Sequence, residues 1–588
     1  MSDDRRGTRR APAGIAAALA ATALLGCTFV PTSGPVVEGR TVVTGGSGSV
    51  VRVIARPPTP GATPEDIVRG FLAASASSED DFAVARSFLT PQAAERWRPT
   101  SGIRVYDTPV LSADSSLVRL AAALIATVDP AGHLTIAPTD AAIEASFGLV
   151  RSTGEWRIAD PPTGLLLTRG DLARGYRTLP AWYLGVGDDV LVPTGVTIPI
   201  TAAGGATVLA RSLLAGPPQW LAPAVRTAIP EGTRLSIDAV PIIESTAQVD
   251  LDRGVLGIDP ASRRLLAGQL VTTLTGLPGV TAVRVSVAGQ PLLVPGASEP
   301  FTAADFADLL PDPGAPTSLV ASLNGQIVTT AGDPAVSPRP VTPARLARRL
   351  PLTSPAVDFT RGRWAAKVAG RPAVALGSTG SASGLPGPGR GAEVVIALPG
   401  GGVRGPVLGP DGRFWLTGGG AVYTVDERGL AEVALAPAAT EVLAVAPSPD
   451  GARVALIVRG PSGDVLRLAA LSTTAAPEVQ SLLTGVRPIA RDPLRVASVA
   501  WRDATSLVVI AGTVGPTEVP TMAVVNVLDG SVRSLPGLIG ARSITAAAGH
   551  PVIAASGEEA QPILQRLSEN RWQVISQGSA PAYAPGTP

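Results

Sequence analysis

Very few side chains in this sequence could combine in nucleophilic, acid–base or metal chemistry. The 588 residues include two histidines, His133 and His550, and one cysteine, Cys27. A site built from several His or Cys ligands, an internal disulfide and a paired-histidine mechanism are therefore excluded. The 47 acidic residues are scattered, so a carboxylate pair of the glycosidase type stays open, although no local cluster indicates one. We predict no catalytic, metal-binding or cofactor-binding residues.

Neither histidine has a recognisable catalytic neighbourhood. His133 follows the turn signal Asp129-Pro130-Ala131-Gly132, and we predict that it is exposed and without a catalytic role. His550 follows Gly549 at a predicted turn, and no Gly-x-Ser-x-Gly element that could use it exists in the chain. Residues 387–391, Gly-Pro-Gly-Arg-Gly, superficially resemble a phosphate-binding loop. They lie in a Ser/Gly/Pro tract without a preceding strand or following helix, so we interpret them as a flexible loop.

The single cysteine occupies a position typical of lipid attachment in exported bacterial proteins. Four arginines in the first ten residues precede an uncharged run, 11–26, that is short and rich in Ala for a membrane span. The run ends Leu24-Leu25-Gly26-Cys27, which resembles the bacterial lipobox, where the thiol receives diacylglycerol. We predict a lipoprotein signal peptide at 1–26, lipidation of Cys27 and a flexible tether at 27–61. An ordinary signal peptide that happens to end near a cysteine is the alternative.

Composition and charge indicate a modular protein that does not bind nucleic acid. Lys plus Arg number 48 and Asp plus Glu 47, far from the basic excess that neutralises phosphates. The length suits three to four domains, and the hydrophobic content of 45% is ample for packed cores. We predict a multidomain protein with an α+β cone-like domain at 62–178, an α+β domain at 190–300 and an all-β domain at 310–588.

The first domain, 62–178, begins with helices and continues with strands. Thr63-Pro64-Glu65-Asp66 is typical of a helix start, with a hydroxyl N-cap, a proline in the first turn and acids at the positive end of the dipole. Two more short helices are predicted within 82–89 and 90–97, and extended runs begin after Leu117. This order predicts an α+β cone like those of nuclear-transport-factor-like and cystatin-like domains.

The second domain, 190–300, has the most distinctive motifs. Helices are predicted at 208–214 and 259–277, and the latter has the strongest amphipathic pattern in the chain. Strands are predicted at 225–229, 235–240, 247–251 and 283–287. Three segments together resemble the GerMN domain, a small non-catalytic module of exported, membrane-tethered proteins: Leu213-Leu214-Ala215-Gly216-Pro217, Ala228-Ile229-Pro230-Glu231-Gly232-Thr233 and Leu274-Thr275-Gly276-Leu277-Pro278-Gly279-Val280.

The third domain, 310–588, has almost no helical signal beyond 343–350. Short apolar runs alternate with Gly- and Pro-containing turns such as Gly409-Pro410-Asp411-Gly412 and Ser448-Pro449-Asp450-Gly451. Turn markers recur at a drifting interval near 45 residues; they are Gly325, Gly362, Gly412, Gly451, Asp503 and Gly549. A repeat of this length predicts a β-propeller of about six blades, and a pair of β-sandwiches is the alternative.

The order of lipobox, α+β cone, GerMN-like module and propeller resembles the actinobacterial lipoprotein family LpqB. This resemblance implies a lipoprotein on the extracytoplasmic face of the cell membrane. It also implies that the partner is the extracytoplasmic domain of the sensor kinase MtrB, with modulation of the MtrA–MtrB two-component system, cell division and envelope homeostasis. It supplies no catalytic residues, and only Cys27 maps onto a functional position. We therefore expect a binding protein and not an enzyme.

Two other function classes stay open from the residues alone. An envelope hydrolase would need carboxylates that converge in the propeller channel. A ligand-binding receptor would use the channel or a deep apolar pocket in the cone. The arrangement of side chains in these two places distinguishes the classes.

Overall fold

The computed structural model describes residues 56–77, 79–187, 189–200, 204–311, 317–379, 393–436, 441–460, 463–472, 481–490 and 495–588. The predicted signal peptide, Cys27, most of the predicted tether and the loop at 387–391 lie outside these ranges. The described residues belong to one compact unit. The last tether residues contact the first domain, because the backbone N–H of Gly61 donates to Glu155 Oε2 at 2.9 Å.

The first domain packs short helices against a six-stranded sheet. Its helices are α1 (Pro64–Ala74), α2 (Ala83–Arg86), α3 (Pro91–Arg96) and α4 (Arg169–Gly175), with 3-10 turns at Glu79–Phe82 and Pro99–Ser101. Its strands are β1 (Ile103–Asp114), β2 (Leu117–Val128), β3 (Leu134–Ile136), β4 (Ala142–Ser152), β5 (Glu155–Asp160) and β6 (Leu165–Thr168). The order is β5-β4-β2-β1-β6 with β3 beside β2, and only β1 and β6 pair in parallel.

Helix α1 begins as the sequence predicts, since Thr63 Oγ1 accepts the backbone N–H of Asp66 at 3.2 Å. Its apolar face reaches an aromatic core in which the Phe71 ring lies 5.2 Å from Trp97 and 6.2 Å from Phe147, edge to face. The sheet begins earlier than the predicted start at Leu117. The outer half of β1 is solvent-exposed, so this strand lacks the alternating pattern that identifies a half-buried strand.

The second domain packs two helices against two small sheets. Its helices are α5 (Gly205–Ala215) and α6 (Pro260–Leu274), with 3-10 turns at Arg253–Val255 and Ala303–Leu309. Its strands are β7 (Tyr176–Gly185), β8 (Leu191–Pro199), β9 (Val225–Arg226), β10 (Ile242–Ile243), β11 (Thr246–Leu251), β12 (Ala282–Val287) and β13 (Gln290–Pro291). The sheets have the orders β8-β7-β9 and β10-β11-β12-β13, and β11 and β12 are parallel.

Two sequence-based expectations about the strands of this domain are wrong. The domain begins at Tyr176 and not at 190, because β7 pairs with β8 along its whole length and belongs to this sheet. Residues 235–240 form no regular strand, since the backbone N–H of Val240 donates to the Thr207 hydroxyl at 2.9 Å instead of to a neighbouring strand. A single bridge between Leu235 and Leu251 is the pairing observed there.

Helix α6 is buried more completely than an amphipathic helix. Asp259 caps it by accepting the backbone N–H groups of Ala261 and Ser262 at 2.9 and 3.1 Å. The helix ends at Leu274, three residues earlier than predicted, and from Leu266 onward nearly every side chain is buried. It packs against β7, β12, α5 and the 3-10 turn at Ala303–Leu309, so no face of this stretch is left for solvent. The predicted amphipathic face is therefore wrong for its second half.

The third domain is a β-propeller with one short helix, α7 (Ala344–Arg349). The first three blades contain β14 (Thr317–Leu323), β15 (Gln326–Thr330), β16 (Arg339–Pro340), β17 (Leu352–Asp358), β18 (Arg363–Val368), β19 (Ala373–Ser378), β20 (Val394–Ala397), β21 (Arg404–Leu408), β22 (Phe414–Gly418), β23 (Ala421–Asp426) and β24 (Gly429–Leu435). The last three contain β25 (Val442–Pro447), β26 (Arg453–Gly460), β27 (Gly463–Ser472), β28 (Leu482–Pro488), β29 (Val496–Asp503), β30 (Ser506–Ala511), β31 (Thr521–Asn526), β32 (Val532–Leu535), β33 (Ser543–Thr545), β34 (Ile553–Glu558), β35 (Gln561–Ser568) and β36 (Arg571–Gln577). The final strand, β37 (Ser579–Pro585), returns to the first blade.

Six blades of four strands close into a ring. Neighbouring blades contact each other through their innermost strands, which follow one another in the order β37, β17, β21, β25, β29 and β33. Strand β33 also contacts β37, which closes the ring. The blades β21–β24 and β25–β28 also share an edge, because β24 pairs with β28. Strand β37 pairs with β14, so the end of the chain supplies the innermost strand of the first blade.

Ring closure explains the one misplaced turn marker. Five of the six markers lie between the first and second strands of a blade, or at the border of these strands, as the repeat predicts; they are Gly362, Gly412, Gly451, Asp503 and Gly549. The marker Gly325 instead lies between β14 and β15, the second and third strands of its blade. The repeat could not show this shift, because the missing first strand comes from the other end of the chain.

Candidate functional site

A cavity of about 280 Å³ lies where the three domains meet. The first domain contributes the turn between β2 and β3, and the second contributes part of β8 and residues 218–220. The propeller contributes side chains from three strands of its fourth blade and the β31–β32 turn of its fifth. Polar or aromatic side chains that line the cavity include Asp129, His133, Thr194, Trp220, Arg453 and Arg487.

The domains approach one another closely around this cavity. A Cβ atom added to Gly195, in the middle of β8, would overlap the carbonyl oxygen of Leu528 in the propeller. A Cβ atom at Gly485 would lie 2.7 Å from the carbonyl oxygen of Trp220. Both positions therefore require glycine for close approach of two backbones. The junction is a packed interface between domains.

His133 is buried, contrary to the predicted exposed position. Its residue is 7% exposed, and its Nδ1–H donates to the carbonyl oxygen of Gly195 at 3.3 Å. The turn that precedes it packs on β8, where the backbone N–H of Thr197 donates to the carbonyl oxygen of Gly132 at 2.7 Å. Within the described part of the chain, Nε2 of His133 has no hydrogen-bond partner. The sequence predicts the turn correctly. It does not predict that a second domain buries this turn, because such a contact leaves no local pattern in the sequence.

Arg453 forms a buried ion pair at the propeller side of the junction. Its side chain is 1% exposed and pairs with Asp450, whose side chain is 0% exposed. The guanidinium also donates to the carbonyl oxygen of Ala504 in the next blade and stacks over the Trp501 ring at 5.2 Å. Asp450 accepts further hydrogen bonds from the Ser448 hydroxyl at 2.6 Å and from the backbone of its own turn. The charge of Arg453 is therefore fully balanced.

Arg487 is a second guanidinium at the cavity; it is partly buried and has no counter-ion among the described residues. It lies over the Trp220 ring at 4.8 Å, and its Nη2 donates to the carbonyl oxygen of Leu134 at 3.3 Å. No carboxylate in the described ranges forms an ion pair with it. Desolvation by burial lowers the pKa of Arg487 to about 10, so the group is still cationic at neutral pH. The positive charge of Arg487 is thus unpaired among the described residues, although Asp129 lines another part of the cavity.

His550, the other histidine, lies at a different cavity of about 500 Å³ between the first and last blades. Its Nε2 is 2.5 Å from the Thr317 hydroxyl, and its ring is 5.0 Å from the Tyr583 ring. The Tyr583 hydroxyl donates to the carbonyl oxygen of Pro551 at 2.7 Å. These contacts tie the last strand of the chain to the neighbouring blade, and the structure does not bring the two histidines to one site.

The innermost strands of the propeller bring together no carboxylate pair of the kind that a glycosidase would need. The six innermost strands, all within the described ranges, contain two acidic residues, Asp358 and Asp503. Burial alone raises the pKa of Asp358, but hydrogen bonds from Thr360 and Arg361 outweigh burial and hold this pKa below its usual range. Asp503 accepts hydrogen bonds from the hydroxyls of Thr505 and Ser506 at 2.8 and 2.7 Å. Each carboxylate is thus engaged by its own turn.

Metal ligands do not cluster in the part of the chain that the structure describes: no group of three or more His, Cys, Asp or Glu side chains could hold an ion there. The predicted anchor, Cys27, lies outside the described residues. None of the described helices has both the length and the apolar character needed to cross a bilayer. The geometry therefore offers one polar cavity at the junction and one between blades as places for a ligand.

Comparison with known families agrees with the three domains. The chain matches the models for the Lipoprotein LpqB N-terminal domain over residues 57–173, for the sporulation and spore germination (Germane) domain over 183–293, and for the Lipoprotein LpqB beta-propeller domain over 330–588. It is thus a multidomain protein that combines a GerMN domain with a β-propeller. The two LpqB domain models together cover more than half of its residues, and the chain belongs to the LpqB lipoprotein family.

Curated relatives carry the same family name. The chain is 35% identical over 333 residues to Lipoprotein LpqB of Cutibacterium acnes. The matched region covers 55% of this chain and 54% of the relative. It is 34% identical over 307 residues to that of Thermobifida fusca, covering 49% and 48% of the two chains. The chain thus spans about half the length of the curated relatives that it matches. Membership of a lipoprotein family implies a lipid-anchored membrane protein.

Solved structures resemble separate parts of the chain. TolB from Acinetobacter baumannii is 19% identical, with a TM-score of 0.33 over 47% of this chain and 67% of that one. The tandem GerMN domains of GerM from Bacillus subtilis are 21% identical, with a TM-score of 0.19 over 22% of this chain and 46% of that one. Neither similarity bears on what this protein binds.

Proposed function

We propose that this protein is a lipoprotein, anchored through Cys27 on the extracytoplasmic face of the membrane, that binds the sensor domain of the kinase MtrB. Binding modulates the MtrA–MtrB two-component system and thereby cell division and envelope homeostasis. The family name supports the anchor, and the resemblance of the domain order to LpqB supports the partner. The observation that carries the proposal is the junction, which docks the three domains in one arrangement suited to presenting a surface.

The contact surface that we favour is the propeller face opposite the junction. The β31–β32 turn of the fifth blade faces the other domains, so the loop between β30 and β31, at the other end of β31, lies at the opposite end of this blade. That loop and the loop after β32 expose three apolar side chains, Val514, Val519 and Ile539, which are 36%, 59% and 63% exposed. The loops touch, because the backbone N–H of Gly540 donates to the carbonyl oxygen of Glu518 at 2.9 Å. Exposed apolar patches of this kind are typical of interaction sites.

A weak contact suffices when both partners are attached to one membrane. Confinement raises their effective concentration, so an affinity in the micromolar range (about −8 kcal/mol) still gives substantial occupancy. The chain with Cys27→Ala, which lacks the lipid, should bind the purified sensor domain but complement a deletion strain poorly. Full complementation by this variant would contradict the tethering argument.

The experiment that tests the surface is biolayer interferometry with the purified MtrB sensor domain. Ile539→Asp places a charge in the apolar patch and should weaken binding at least about tenfold, since a charge would be desolvated in the interface. Val110→Asp, at a side chain 65% exposed on the first domain, is the matched control and should leave binding unchanged. Leu293→Asp, at a side chain 79% exposed, tests the GerMN domain as the second choice of surface. Unchanged phosphorylation of the response regulator in a deletion strain would refute the signalling role altogether.

A further inference from the structure

The junction cavity has features that a binding role for the outer surfaces does not use. Its lining residues include two guanidinium groups but one carboxylate, Asp129. Arg453 is balanced by Asp450, whereas Arg487 has no ion-pair partner in the described ranges. Asp129 is exposed, and its Oδ1 accepts the backbone N–H of His133 at 2.9 Å. The lining of the cavity is therefore cationic near Arg487.

Several hydrogen-bonding atoms around the cavity also have no partner. Within the described part of the chain, these buried atoms are Nε2 of His133, Nε1 of Trp220, Nε of Arg453 and Nε of Arg487. Buried polar atoms in folded proteins are almost always paired with protein, water or ligand. Four such atoms on residues that line one cavity mark it as a place where water or a ligand is bound. At least three of them are N–H donors, which hydrogen-bond to an acceptor.

We propose that the junction cavity binds a small oxyanion, a phosphate or carboxylate carried by a compact molecule, with Arg487 as its main ligand. A guanidinium presents several N–H donors in one plane and binds planar carboxylates or phosphates through paired hydrogen bonds. The Trp220 ring, stacked on Arg487 at 4.8 Å, holds that plane in position and has its own unpartnered N–H. The hydroxyl of Thr194 and the imidazole of His133 complete a polar lining.

The size and position of the cavity limit the ligand. A volume of about 280 Å³ admits a phosphate, a small dicarboxylate or a compact phosphate ester, but not a polymer. Because all three domains line the cavity, an anion bound there contacts each of them and favours their docking. The proposal does not depend on the kinase partner, and each can fail without the other.

Isothermal titration calorimetry on the full chain in detergent tests the site. Sodium phosphate and sodium succinate are titrated separately, each against sodium chloride of the same ionic strength, so that the two arms distinguish phosphate from carboxylate. Binding of either anion, with saturation near one per chain, supports the proposal. Absence of specific heat in both arms overturns it.

Variants assign the binding to the cavity. Arg487→Gln should weaken anion binding by about 10- to 100-fold, the range expected for hydrogen bonds to a charged group. The matched control is Arg467→Gln, because Arg467 lies in the adjacent strand β27, has no ion pair in the described ranges and does not line the cavity. This variant should bind as the wild type does. Equal affinities of the two variants would place any bound anion elsewhere and overturn the assignment.

A second variant covers the case in which Arg487→Gln does not fold. Trp220→Phe keeps an aromatic ring beneath the guanidinium but removes the Nε1–H donor, so the stack can persist while a ligand contact is lost. We expect a several-fold loss of anion affinity with little change in the unfolding temperature of the unliganded protein. Unchanged affinity in Trp220→Phe together with an unfolded Arg487→Gln variant would overturn the proposal.

Discussion

Replacement of Asp450 by alanine should destabilise the fourth blade far more than the same change one blade earlier. Asp450 is the counter-ion of Arg453, whose side chain is 1% exposed. Alanine leaves this guanidinium buried without a charge partner and also removes the acceptor of the Ser448 hydroxyl. Removing one member of a buried ion pair lowers the free energy of unfolding by about 3–5 kcal/mol, because the other charge stays buried without a partner.

The third blade provides a matched control in the same kind of turn. Asp411 pairs with Arg413 at 2.6 Å, but their side chains are 33% and 22% exposed, so solvent can replace the lost partner. Asp411→Ala should therefore cost about 1 kcal/mol or less. The two variants are expected to differ by about 2–4 kcal/mol, although their turns share the Pro-Asp-Gly sequence.

Hydrogen–deuterium exchange with mass spectrometry is the appropriate assay, because a three-domain protein need not unfold in one step. Peptides from β25 and β26 should exchange faster in Asp450→Ala, by a factor that corresponds to the lost free energy. The double variant Asp450→Leu/Arg453→Met removes the stranded charge and should recover much of the protection. Equal exchange in Asp450→Ala and Asp411→Ala would refute the reasoning that burial of the pair sets its importance.

Three further predictions concern the anchor, the junction and acid stability. Cys27→Ala should abolish incorporation of a labelled fatty acid and partitioning into detergent; retention of both would contradict the anchor assignment. Gly195→Ala should loosen the junction, because its Cβ overlaps the carbonyl oxygen of Leu528, and limited proteolysis should cleave it faster than Gly257→Ala, where a Cβ meets no atom within 4 Å. Because folding lowers the pKa of Asp358, its stabilising effect is present above the unfolded-state pKa of about 3.9 and is lost as the pH falls toward the folded-state pKa. Acid titration followed by circular dichroism should therefore show a shallower loss of structure below about pH 4 for Asp358→Asn than for the wild type.

Local patterns in the sequence were sufficient for most of the architecture. The hydroxyl cap of α1 and the blade turns each depend on residues close together in the chain, so their signals survive without knowledge of the fold. The first-blade register was wrong because β37 and β14 are separated by most of the propeller. The expectation that α6 is amphipathic was wrong for a similar reason, since the elements that cover its second face lie elsewhere in the chain.

The junction cavity was beyond the reach of such patterns. His133, Trp220 and Arg487 come from three domains, and none has a neighbour in sequence that indicates its partner. One signal did exist: Gly195 is the single glycine in a strand rich in β-branched residues, and an isolated glycine in a strand often marks close approach of another backbone. That signal indicates a contact but not which chain segment makes it.

A site lined by three domains has a thermodynamic consequence that a site within one domain does not have. When any one domain moves away, the cavity loses part of its lining, and the anion loses the contacts that this domain provided. Anion binding and domain docking are therefore linked, and each must strengthen the other by the same factor. Arg487 strengthens this link, since without an anion its partly desolvated charge opposes the docked arrangement, and with an anion that opposition is removed. The anion affinity and the stability of the junction should consequently change together in every variant that alters Arg487.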